Sequence, residues 1–384
     1  MMKITTVCGD ISPEQLGFAS MHEHTLVNMA PVFGAFVKDA PTPTLTLENV
    51  SELKQNGTWR ALREELHYDD TELETQELKT FKRFGGNAIL DCGMIGLRGD
   101  PRKVKEMSEQ SEVNIVMCTG FGDFSDSYIN KQMSGAGQAV SDSEGQGTAT
   151  VFDPFDQARM RDVMLKEIHE GMDGTDIRPG AVKAILYSFS EREKSILRAA
   201  CRVAAETEYP ITVHCPVTTE AVLGIIDIAL NECGVKPEKF NLSHLDKYFG
   251  IKEYNPSFLE YVSNPNQTVK NAVDFSKRIL DMGINCSIDN VGSFLVKDFF
   301  DVGIMWCVDD YLRLSVMVPL LEQGYAGQLM LGHDKAGRVF NYNAGSYGYT
   351  RVINFIVPAL KHMGFQKEAD MLCFDTPAKF LSHN

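Results

Sequence analysis

AVKAILYSFSEREKSILRAACRVAAETEYPITVH, Ala181 to His214, decides the fold. It opens on a short apolar run, Ala181 to Tyr187, of the length and composition of a buried strand. Ser190 and Glu193 then stand three apart, the spacing of a capping box. Ile196, Leu197, Ala200, Val203 and Ala204 fall on one stripe of the helix that follows. A second apolar run, Pro210 to Val213, comes next. A helix joining two strands of one sheet carries the chain back to the end where it began, so the second strand lies parallel to the first. Strand, helix and parallel strand form the repeating unit of α/β folds.

Outward from this unit, six more runs read as strands: Gly17 to Met21, Asn87 to Cys92, Asn114 to Cys118, Phe240 to Ser243, Ile284 to Ile288 and Gln328 to Leu331. Eight strands in 384 residues suit one α/β domain spanning residues 1–384, a TIM (β/α)8 barrel with long loops at its C-terminal face, although length alone also allows two domains. Three stretches exceed a minimal barrel. Ala30 to Tyr68, with Pro31, Pro41 and Pro43, reads as a loop with a short helix. Ser134 to Thr150, rich in Gly, Ser and Gln, reads as a mobile segment or lid. Asn290 to Asp309, with Phe294, Phe299, Phe300 and Trp306, is apolar enough to be ordered.

A net charge of −15 and a pI near 5.1 exclude a surface built to neutralise nucleic acid or anionic lipid, and point to a small-molecule partner. Met1 to Leu16 holds no apolar run of signal-peptide length and no segment approaches a membrane span, so the expected location is cytoplasmic. The assembly stays open, a homodimer included. Nine cysteines without a C-x-x-C pair read as reduced core residues, which sets aside a cysteine zinc site.

His22-Glu23-His24 ends the first strand. Residues i and i+2 of a strand share a side, so both imidazoles reach one ion while Glu23 faces away. Alone, the pair describes two solvated or core histidines equally well. His214 ends the fifth strand and His244 the sixth. A barrel gathers all strand C-termini around one mouth, where four histidines from three strands meet. Asp334, after the eighth strand, offers a carboxylate that binds metal and accepts a proton. Asp289, after the seventh, is the rival and reads as an ordinary loop residue; His333 is expected to point elsewhere. Lys183 lies inside the apolar fourth strand. A buried ammonium beside cations is disfavoured, so it points outward, loses its proton or is modified.

Together with Ile4-Thr5-Thr6-Val7-Cys8-Gly9, Gly17, Gly345-Ser346-Tyr347-Gly348-Tyr349-Thr350 and Pro377-Ala378-Lys379-Phe380, these residues make the chain resemble the phosphotriesterase-like branch of the amidohydrolase superfamily along nearly its whole length. The resemblance implies a hydrolase with two divalent metal ions, zinc first, with manganese, nickel, cobalt or iron open. It implies His22 and His24 on the more buried ion, His214 and His244 on the more exposed one, and a carboxylated Lys183 bridging both. It implies that Asp334 binds metal and moves the proton of a metal-bridged hydroxide. Lactones or other carboxylic esters come first as substrates, then amides of small N-acylated compounds, then phosphotriesters. A barrel that binds metal only for structure is the non-enzymatic alternative.

Two departures bear on substrate. Many lactonases of this branch carry a tyrosine after the third-strand Gly-Phe, where this chain has Gly120-Phe121-Gly122, with Tyr128 six residues on. Lys247 resembles a phosphate-binding position of members specific for phosphorylated sugar lactones, but the Arg-x-x-Tyr those members carry after strand seven is missing between Asp289 and Trp306. Lys247 is the candidate substrate contact, for a small anionic lactone or ester.

Overall fold

A computed structural model of the chain describes residues 2–29, 45–51, 65, 67–123, 155–216, 218–249, 263–293 and 309–384. Eight strands, β1 (Ala19–Glu23), β2 (Ala88–Asp91), β3 (Asn114–Gly122), β4 (Ala181–Ile185), β5 (Ile211–His214), β6 (Phe240–Ser243), β7 (Asn285–Ile288) and β8 (Leu329–Leu331), form one sheet in sequence order, all parallel. The sheet closes at its C-terminal end. There Asp334 N–H donates to His22 O at 2.9 Å and His24 N–H to Lys335 O at 3.0 Å. The (β/α)8 expectation holds.

Helices flank the sheet: α1 (Thr71–Arg83), α2 (Pro101–Ser111), α3 (Gln157–Glu170), α4 (Glu191–Thr207), α5 (Thr219–Asp227), α6 (Pro265–Leu280), α7 (Asp310–Glu322) and α8 (Val357–His362). The stripe read on α4 is buried, and Ser190 with Glu193 forms the capping box. The buried Glu193 carboxylate also takes Tyr187 N–H at 2.6 Å and Ser188 N–H at 2.9 Å, which fixes the turn leaving β4. The eight described cysteines are free, six of them buried. The readings of 134–150 and of the aromatic run Phe294 to Trp306 lie outside the described residues. So does most of 30–68, whose described end, His67–Tyr68, pairs antiparallel with Val27–Asn28.

The first strand needs correction: it runs Ala19–Glu23, not Gly17 to Met21. Between Ser20 and Glu23 its register against β2 shifts, three steps of β1 facing two, Ile89 to Asp91. An extra residue of this kind turns the following side chains to the other face. Ala19 and Met21 pack in the barrel interior with Leu90, Val116, Ala181 and Met330. His22, which strict alternation would turn away from them, also faces inward.

The interior has two halves. One is the apolar cluster just named; the other is polar, with Thr212, Asn241, Ser243, Asn285 and Ser287 of β5, β6 and β7 all buried. Buried polar groups persist where they satisfy one another. Thr212 Oγ1 and Ser243 Oγ are 2.8 Å apart, and Asn241 Nδ2 donates to Thr212 Oγ1 at 2.9 Å and Ser287 Oγ at 3.1 Å.

At the N-terminal end, Ile4, Leu16, Phe380 and Leu381 join the apolar interior cluster, bringing both chain ends into one core. His383 pairs with Lys3 as an antiparallel bridge, lies with Nε2 3.1 Å from Thr5 Oγ1, and stacks on Tyr209 at 4.1 Å between centroids. Burial, reinforced by Lys3, lowers its imidazole from 6.5 to about 4. The folded chain therefore keeps His383 neutral where the unfolded chain protonates it, so its contribution is whole above pH 6.5 and shrinks as pH falls towards 4. Melting curves of wild type and His383→Gln should converge over that window, the wild type losing more melting temperature. Parallel pH dependences would remove His383 from the acid response.

Candidate metal centre

The side chains named from the sequence meet at the C-terminal mouth. His22 Nε2 lies 3.6 Å and His24 Nε2 3.3 Å from the same oxygen of Asp334, Oδ1. His244 Nε2 is 2.8 Å from His214 Nδ1, and the ring centroids of His22 and His244 are 4.5 Å apart. Lys183 continues the inward register of Ala181 and is buried, its Nζ 3.4 Å from His22 Nε2 and 3.4 Å from Ser243 Oγ. It does not point outward. Among the described residues no carboxylate pairs with it.

Asp289 overturns its reading as an ordinary loop residue. It is 0% exposed and spans the two halves of the site, Oδ2 accepting from His22 Nδ1 and Oδ1 from His244 Nδ1, both at 2.7 Å. Ser287 Oγ donates to it at 2.6 Å, which ties it to the polar interior. A carboxylate that takes the Nδ1 proton fixes ring orientation and leaves Nε2 as the metal-facing atom. The available signal was position: Asp289 follows β7 as Asp334 follows β8. What hid it was that either aspartate alone satisfies a metal.

His333 does point elsewhere. Val352 N–H donates to its Nε2 at 3.1 Å, so Nδ1 carries the proton and gives it to Glu23 at 2.6 Å. Glu23 faces away from His22 and His24 as expected, held also by Ser20 Oγ and Lys335 N–H.

Sequence reading also missed Arg313. Buried on α7, it reaches back to Asp246 Oδ2 at 2.7 Å, while Asn290 donates to both oxygens of Asp246 at 3.2 Å. It thereby joins the loops after β6 and β7. Lys247, half-buried beside them, bonds back to His244 O through its N–H at 3.0 Å. Tyr187, at the mouth end of β4, packs its ring 4.9 Å from His214.

The charge states suit a cation. Burial holds His214 well below its usual range and His244 down to about 3, and Lys247 adds to both shifts. Burial would raise Asp289 and Asp334, but the neighbouring histidines outweigh it and keep both well below the usual carboxylate range. Burial also works against a proton on His22, yet Cys92 and then the carboxylates of Asp289 and Asp334 lift it to about 9, a proton that a cation at Nε2 would displace. His24 Nδ1 is buried without a hydrogen-bond partner among the described residues. His22, His24 and Asp334 form one group whose spacing could hold a metal ion, and His22, His244 and Asp289 another. Ionised carboxylates and neutral imidazoles are what a divalent ion requires, so the residues fit.

A parallel barrel with inward histidines and carboxylates at its C-terminal mouth defines a class, the metal-dependent barrel hydrolases. The chain belongs to the phosphotriesterase family, whose model matches residues 2–256 and 268–381, and it is a hydrolase. It is 25% identical to N-acetyltaurine hydrolase of Xenopus tropicalis over 391 residues, covering 99% of this chain and 98% of that one, and 25% identical to the Rattus norvegicus enzyme with the same coverage. Among solved structures it resembles a resiniferatoxin-binding protein from Rhodobacter sphaeroides (TM-score 0.77, 24% identity, 99% and 94% coverage). It also resembles a mutant phosphotriesterase-like lactonase from Deinococcus radiodurans (TM-score 0.68, 20% identity, 98% and 99% coverage). Among the described residues no helix is long and apolar enough to cross a membrane.

Proposed function

We propose that this chain, working as one domain, hydrolyses the acyl bond of small N-acylated compounds bearing an anionic group. Two divalent ions, zinc first among them, would be held by His22, His24, Lys183, His214, His244 and Asp334. The observation that carries the metal assignment is the convergence of buried His22, His24 and His244 with partly exposed His214 and an ionised Asp334 at one mouth. Full-length relatives named N-acetyltaurine hydrolase move amides ahead of the lactones and esters that come first from the sequence. Such ions, when bound, lower the pKa of water to about 7 and polarise a carbonyl oxygen.

The residues divide the remaining work. His22 and His24 serve the inner ion and His214 and His244 the outer, with Asp289 fixing the rings of His22 and His244. Lys183, carboxylated on Nζ by carbon dioxide with loss of a proton, would supply a further anionic ligand. Its burial beside His22 and the lack of a carboxylate partner among the described residues favour that form over an ammonium. Asp334, ionised and with 27% of its side chain exposed, takes the proton of the attacking water and returns it to the departing nitrogen. Lys247 faces the substrate's anionic end, a role supported by its electrostatic reach to His214 and His244.

The test compares kcat/KM for N-acetyltaurine, a neutral N-acetyl amine, charged and neutral lactones and a phosphotriester, in wild type and Lys247→Ala. Anionic amides should be fastest and phosphotriesters slow. The substitution should lower the rate for anionic substrates alone by about 10- to 100-fold, the scale of a hydrogen bond to a charged group. Equal losses for neutral substrates would remove Lys247 from the site. A lactone outrunning every amide would restore the ester reading.

A further inference from the structure

Behind the His24–Asp334 seam lies a buried charge cluster that the hydrolytic assignment does not use. Lys335 and Glu74 of α1 are both buried, with Lys335 Nζ 2.7 Å from Glu74 Oε2. Tyr68 OH donates to the same oxygen at 2.8 Å, and Tyr349 OH donates to the other. The ammonium sits 4.6 Å from the Tyr349 ring centroid and 5.1 Å from that of Tyr68. Tyr349 OH also lies 3.3 Å from Lys335 Nζ and 3.3 Å from His24 O. Asn341 Nδ2 donates to Tyr68 OH at 3.0 Å. Both charges have left water, so the pair holds Lys335 in one place: pulling it away strands a buried carboxylate.

The place matters because of the neighbouring residue. Asp334 has φ of +52°, a left-handed conformation that Asp and Asn tolerate better than other L residues and that neighbouring hydrogen bonds hold in place here. On its N-terminal side the constraint is Asp334 N–H to His22 O. On its C-terminal side Lys335 accepts from His24 N–H through its carbonyl and donates N–H to Glu23 Oε2 at 3.2 Å. Lys335 runs outward to Glu74 while the Asp334 carboxylate turns inward to His22 and His24.

We infer that the Lys335–Glu74 pair, clamped by Tyr68 and Tyr349, is a positioning device that holds Asp334 against His24 at the barrel's closing seam. It acts on the His22–His24–Asp334 half of the site and leaves the His214–His244 half alone. The metal arm of the test rests on the proposed two-ion centre; a second arm does not.

Three proteins are compared: wild type, Tyr349→Phe and the charge-free double variant Lys335→Met with Glu74→Gln, which buries no lone charge. Amide hydrogen exchange in metal-free protein should be at least tenfold faster at His24 and Asp334 in the double variant, smaller but in the same direction in Tyr349→Phe, and unchanged at Val213 and Leu242. With zinc added, the double variant should retain about one ion where wild type holds about two, and lose kcat with little change in KM. Unchanged exchange at His24 and Asp334 overturns the inference, as does exchange that rises equally at all four amides. Wild type that binds no zinc while the exchange pattern holds would refute the metal centre and not the clamp. A double variant that does not fold leaves the decision to Tyr349→Phe, which removes one hydroxyl.

Discussion

Lys183→Ala should lose most of its metal and fall in kcat/KM by roughly 10³-fold or more. The scale follows from the charge involved: unit charges about 4 Å apart interact by about 4 kcal/mol at the effective dielectric of a protein site, and about 1.4 kcal/mol is tenfold in rate. An ammonium on Lys183 would repel each ion on that scale, whereas a carboxylated amine attracts both. The side chain is buried, inward on β4 and 3.4 Å from His22 Nε2, within reach of the proposed centre. Metal analysis should show about two ions in wild type and fewer than one in the variant, with secondary structure intact by circular dichroism. Propionate at high concentration, filling the space with a separate carboxylate, should recover part of both metal and rate. A fully active alanine variant would take Lys183 out of the centre.

Asp334→Asn should keep the fold and lower kcat by about 10²-fold or more, the usual worth of a positioned general base. Asparagine is among the few residues that tolerate the left-handed backbone found at Asp334, and its amide oxygen can still approach His24, so the loss should fall on proton transfer more than on architecture. KM should change little. The neighbouring histidines hold Asp334 well below the usual carboxylate range, so it stays ionised, and able to accept a proton, through the working pH range. An Asp334→Asn enzyme within a few-fold of wild type, with the same pH–rate profile, would assign the proton to another group.

The sequence by itself determined the number, order and direction of the barrel strands, because buried parallel strands and amphipathic helices leave local patterns of apolar residues. It also determined which histidines end which strands. Placing His22, His24, His214, His244 and Asp334 around one mouth needed only those assignments and the rule that a barrel gathers its strand ends; Lys183, in mid-strand, is left open by its own segment and joins them only through the family resemblance. Only the tertiary structure decided three matters. The register shift in β1 turns His22 inward against strict alternation, and a bulge is a property of the pairing between strands. Asp289 became the link between the two halves of the site because its two histidines arrive from β1 and β6, 267 and 45 residues away. Arg313 falls with Val316, Met317 and Leu320 on the buried face of α7, and Glu74 with Leu78 and Phe81 on that of α1, so helical spacing puts both charges on the core side. Their partners, Asp246 and Lys335, come from distant segments and appear only in the folded chain. Periodicity is local and survives in one dimension; the partners that make a buried charge tolerable are not.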